Sequence, residues 1–170
     1  MTEFSRSFDV RALPGEAVTL DATADECAAL ARRFALVAVH SLHAEITLIA
    51  AGGKVSATGR LKASIVQTCA ISGDDLPVQI DEPVKLRFVP AAATHRPDEE
   101  VELDAGALDE TEYQGTLFDL GEELAQGLAV AIDPFLAGPN AEEARRKAGL
   151  LNETASGPFA ALAGLKAKLD

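Results

Sequence analysis

The chain has 170 residues, 48% hydrophobic and 25% charged, with a formal net charge of −12; the length suits one domain with a real core and room for a tail. The charge disfavours general binding to a polyanion, because affinity for phosphates comes largely from Lys and Arg releasing counterions. No basic region followed by an apolar run opens the chain, and no apolar stretch of about 18 residues occurs, so neither a secretory leader nor a membrane span is expected.

Residues 4–10 alternate in part, with Phe4, Arg6, Phe8 and Val10 on one parity, and predict a first strand. Leu13-Pro14-Gly15 reads as a turn, and Val18 and Leu20 continue a short extended piece. Thr23-Ala24-Asp25-Glu26 has the pattern of a capping box. Behind it Cys27, Leu30, Ala31 and Phe34 make one helical stripe, which predicts a helix over 23–35 with Cys27 on its buried face. Arg32 and Arg33 then fall at its C-terminus, where cations suit the macrodipole.

The chain is organised around residues 42–69. Leu42, Ala44, Ile46, Leu48 and Ala50 share one parity, and Val55, Ala57, Leu61, Ala63, Ile65 and Cys69 share another after Gly52-Gly53. Polar residues take the opposite faces. Period-two alternation marks half-buried strands, and Gly-Gly supplies the positive φ of a tight turn, so a long antiparallel hairpin is expected. A third long strand follows over 78–88, with a break expected at Glu82-Pro83 that fits a bulge or an edge, because proline cannot donate to a ladder. Residues 98–104 suggest a short, charged edge strand, and 113–118 a last strand.

Asp119, with Glu122 three residues on, caps a second helix whose stripe is Leu120, Leu124, Leu128, Ala131 and Ile132; Asp133-Pro134 ends it. From residue 137 the periodicity is lost, apart from a short helix over Ala141–Lys147, until Phe159, Leu162, Leu165 and Leu169 restore a stripe. The expected fold is α+β. An antiparallel sheet of about five strands carries two main helices, giving a core domain over 1–136. A flexible tail over 137–170 ends in a short amphipathic helix that needs a surface to dock on.

Motifs that carry chemistry are missing. His40, His43 and Cys69 do not have metal-ligand spacing, and there is no Cys-x-x-Cys, nucleophile elbow or phosphate-binding glycine loop. No catalytic residue, metal or cofactor is expected, and Cys27 and Cys69 read as reduced thiols of a cytoplasmic protein. The charge is uneven. Residues 1–69 hold 7 acidic and 7 basic side chains, residues 70–125 hold 15 and 3, and residues 126–170 hold 5 and 5. The whole excess lies in the middle third. Its densest run, Asp98, Glu99, Glu100, Glu102 and Asp104, is a candidate docking face for a basic protein.

The order of these pieces resembles the bacterial YceD family, the large-ribosomal-RNA-subunit accumulation proteins. The likeness covers nearly the whole chain. It is strongest in Gln67-Thr68-Cys69, in residues 119–134, and in the terminal Pro158-Phe159-Ala160-Ala161-Leu162-Ala163-Gly164-Leu165-Lys166. Many members carry Cys-x-x-Cys where this chain has Cys69 and Ser72. The resemblance implies a non-enzymatic factor needed for normal levels of large-subunit ribosomal RNA. Combined with the charge map, it implies a basic ribosomal or assembly protein as partner, held by the acidic run and by Phe159, Leu162, Leu165 and Lys166, with RNA contact weak or indirect. The tail cations Arg145, Arg146, Lys147, Lys166 and Lys168 offer a weak contact to RNA or to an acidic surface. The alternative is direct binding of pre-ribosomal RNA by sheet and tail.

Overall fold

The computed structural model describes residues 3–91 and 110–149. Its strands are β1 (Ser7–Asp9), β2 (Val18–Asp21), β3 (Ala38–Ala51), β4 (Lys54–Thr68), β5 (Asp75–Pro90), β6 (Glu110–Tyr113) and β7 (Leu117–Asp119). Its helices are α1 (Ala24–Arg33), α2 (Leu120–Ala131) and α3 (Ala141–Lys147). A five-stranded sheet has the order β2-β3-β4-β5-β6, and β1 pairs with β7 in a separate two-stranded sheet. The fold is α+β, with the helices and the long hairpin expected from the sequence.

The hairpin follows from its turn. Ala51 pairs with Lys54 across Gly52 and Gly53, whose φ values of 60° and 81° are those of a two-residue turn that only glycine enters freely. Leu42, Ala44, Ile46 and Leu48 of β3 and Val55, Ala57, Leu61, Ala63 and Ile65 of β4 are buried, as the alternation predicts. Ala50, expected in the same stripe, is exposed beside the turn. The ladder slips between Val39 and Ser41, and this bulge at His40 lets Val39 and Leu42 both face inward despite their opposite parity. At the other end the Tyr113 hydroxyl donates to the Gly53 carbonyl and ties the hairpin tip to β6.

The capping box of α1 is complete. The Glu26 amide donates to the Thr23 hydroxyl at 3.3 Å, and the Thr23 amide donates to Glu26 Oε2 at 2.8 Å. Arg6 grips the same carboxylate at 2.6 and 2.9 Å, which holds Glu26 down to about 2. Arg33 binds Glu122 of α2 and Glu3, so this cation is engaged by carboxylates as well as placed at the helix end. Asp119 accepts from the amides of Arg6 and Glu122, joining the end of β7 to the start of α2. Leu120, Leu124, Ala125 and Leu128 enter the same core as Leu30 and the hairpin.

Three expectations change. The run 113–118 is divided: Gly115, at φ 69°, turns the chain, so that β6 joins the large sheet while β7 leaves to pair with β1. Phe118 spans the division, stacked against Phe8 and tilted against Phe88 at centroid distances of 5.9 and 4.4 Å. The first strand shrinks to three residues, and Phe4, which precedes it, is fully buried in the core. β5 runs unbroken through Glu82-Pro83. The Ala91 amide donates to the Tyr113 carbonyl, so odd-numbered residues along β5 turn their amides to the β6 side. β6 covers only residues 87 to 90. Pro83 and Pro77 therefore place their missing N–H groups on an edge with no neighbouring strand among the described residues.

The β5–β6 pairing is parallel, from Arg87↔Glu110 to Pro90↔Tyr113, unlike the antiparallel β1–β7, β2–β3 and β3–β4 pairs. The charged strand expected at 98–104 and the amphipathic helix expected at 158–169 lie outside the described residues. Contacts group the chain into two units. The larger takes residues up to Val66 with Pro77–Ile132; the smaller takes Gln67–Leu76 with residues from Asp133 onward. In the smaller unit Ala141 of α3 is buried, and the Ala70 amide donates to the Leu136 carbonyl.

Candidate functional site

Asp98, Glu99, Glu100, Glu102, Asp104, Phe159, Leu162, Leu165 and Lys166 all lie outside the described residues. The strands that precede and follow the acidic run in sequence, β5 and β6, pair in parallel, and Glu110 at the start of β6 is bound by Arg87 at 3.2 Å and Lys54 at 3.4 Å.

The other acids of the middle third are largely engaged. Asp81 accepts from Arg60 at 2.8 Å, and Glu122 from Arg33 at 2.6 Å. Asp74 accepts from Ser72 and Asn140, and Asp119 from Ser5 and the two amides named above. Their partners hold Asp74, Asp81, Glu110 and Glu122 below the usual carboxylate range. An incoming cation gains less from a carboxylate that already has one. The tail's basic stretch is similarly spent in part: Arg145 pairs with Glu142 and Lys147 with Glu143 on α3.

The polar face of the large sheet holds an open groove of about 320 Å³, lined by His43, Glu45, Thr58, Arg60 and Lys62 among others. His43 Nδ1 lies 2.7 Å from Asp21 Oδ1. Glu45 is directly opposite Arg60, and His43 opposite Lys62. Charges of both signs alternate here, so the face favours neither a polyanion nor a polycation. His40 and His43 belong to the larger unit and Cys69 to the smaller. Among the described residues no three His, Cys, Asp or Glu side chains group as a metal site, and no helix is long and apolar enough to cross a membrane.

In the smaller unit Cys69 has a strongly perturbed thiol. It is buried, and its sulfur accepts from the Gly138 amide at 3.2 Å and the Ser72 amide at 3.3 Å. The Gly138 amide, then Ser72 and the Ile71 amide, bring the thiol down to about 6. Asn140 bridges to Asp74 of the same turn at 3.0 Å. Nearby in sequence, Gln67 donates to the Asp133 carbonyl at 2.7 Å, while its buried Oε1 has no partner. As an acceptor, the Cys69 sulfur fastens Gly138 to the turn at Ser72. Sequence reasoning missed this arrangement; its sole local signal was the polar turn Ser72-Gly73-Asp74 directly after Cys69.

Compared with family models, with curated proteins and with solved structures, the chain finds no match in any of the three.

Proposed function

We propose that the protein is a non-enzymatic factor for accumulation of large-subunit ribosomal RNA, acting by holding a basic ribosomal or assembly protein. One observation carries this reading. The charge excess lies in residues 70–125, the described acids there are largely engaged internally, and the dense run from Asp98 to Asp104 falls in sequence between β5 and β6. Such a run attracts cationic polypeptide and repels phosphate. The link to the ribosome rests on the resemblance in motif order to the YceD family. RNA is then reached through the partner.

The test is charge reversal on the full chain. Replacing Asp98, Glu99, Glu100 and Glu102 together by Lys is expected to abolish capture of a basic partner at moderate salt. Unchanged capture excludes that face.

A further inference from the structure

A groove of about 150 Å³ opens between α2 and β5 in the larger unit. Its floor is apolar, formed by Leu61 of β4, Val84 and Leu86 of β5, and Leu124 of α2. Glu82 and Glu123 stand at its rim. Glu82 breaks the pattern of its strand, whereas Glu123 stands in the first turn of α2, where an acid suits the helix N-terminus. The even positions of β5 are Leu76, Val78, Ile80, Glu82, Val84, Leu86, Phe88 and Pro90, and Glu82 is the one charged residue among them. Glu123 lies on the half-buried flank of α2, next to Leu124. Burial pushes its carboxyl up, the Thr111 hydroxyl opposes this, and Glu122 and Asp119 add to the rise. Among the described residues neither Glu82 nor Glu123 is in a salt bridge; Arg60 is close enough to feel the Glu82 charge, and Glu123 has the Thr111 hydroxyl alone. Lys85 also borders the groove, but alternation turns its side chain to the other face of β5.

Gly127 completes the lining. A glycine inside a helix costs about 0.5–1 kcal/mol relative to alanine. A Cβ built at Gly127 meets only Leu61 Cδ2 at 3.9 Å, an ordinary contact. Packing within the chain does not require glycine here, and a Cβ would add its methyl group to the groove lining.

We propose that this groove receives one leucine-sized side chain of a basic polypeptide, whose flanking lysine or arginine pairs with Glu82 and Glu123. The inference rests on the reading of the protein as a holder of a cationic partner, and it adds the place where an apolar anchor goes. An apolar cavity of about this size is enough for a benzene ring. A half-buried carboxylate without a cation is costly, and a guest ammonium or guanidinium relieves that cost.

The test compares two fluorescein-labelled pentapeptides on the full chain at moderate salt, Lys-Lys-Leu-Lys-Lys and Lys-Lys-Ser-Lys-Lys. The leucine peptide is expected to bind about tenfold tighter, since burying one Leu side chain supports at least that factor. Gly127→Ala is expected to raise the melting temperature and remove the tenfold preference, leaving the serine peptide unaffected. Glu123→Gln is expected to weaken the leucine peptide more than the serine one. Equal binding of the two peptides, or a preference that survives Gly127→Ala, overturns the groove while leaving the cationic-partner reading standing. Failure of both peptides to bind removes both. If Gly127→Ala instead changes the sedimentation of the chain itself, the occupant is a second copy and the proposal falls.

Discussion

Cys69 and Gly59 show how single positions answer to contacts distant in sequence. The folded state holds the Cys69 thiol at about 6, below the value near 8.5 of an unfolded chain. Between those two values the unfolded chain binds more protons, so this group's stabilisation grows as pH rises through the window. It is full above 8.5 and is lost as pH falls through about 6. In a Cys27→Ser background, thiolate absorbance is expected to titrate near pH 6, and Cys69→Ser to remove both that transition and its contribution to the pH dependence of stability. A midpoint at 8.5 or above contradicts the amide contacts. Gly59 illustrates close approach. A Cβ there would lie 1.9 Å from the Glu45 carbonyl oxygen and 3.0 Å from Ile46 Cα, both backbone atoms of the paired strand. Gly59→Ala is expected to destabilise the fold by more than about 2 kcal/mol, measured by denaturant unfolding, because the hairpin ladder itself must shift.

Elements were legible where the signal is local. The hairpin could be read because alternation, a Gly-Gly turn and register all agree, and α1 and α2 because Thr23 and Asp119 carry their caps in the adjacent residues. What escaped was partner choice. Phe118 looks like the end of one strand with Tyr113, yet pairing with Phe8 at the other end of the chain decides its sheet. The parallel return of β6 and the fastening of Gly138 to Cys69 depend on residues far apart in sequence, and no periodicity reports them. Pro83 was read correctly as an edge signal and wrongly as a break. Its consequence is testable: an open sheet edge is a template for another strand, and proline blocks it. Pro77→Val with Pro83→Val is expected to cause concentration-dependent self-association in sedimentation, while leaving the circular dichroism of the monomer unchanged. A double variant that stays monomeric contradicts the assignment of those two positions to the free edge.

At the scale of the whole molecule, the sequence shows where the charge excess lies, and the structure shows how little of it is free in the described part. Asp81, Glu110, Asp119 and Glu122 are already tied to other residues of the chain. The candidate residues from Asp98 to Asp104 were found by composition alone, since an acidic run has no geometry of its own to predict. The most direct measurement is affinity capture with the full chain at moderate salt, with and without ribonuclease. A basic polypeptide that stays bound after the RNA is digested is the predicted result. Recovery of RNA alone, lost on digestion and unaffected by reversing Asp98, Glu99, Glu100 and Glu102 to Lys, contradicts it.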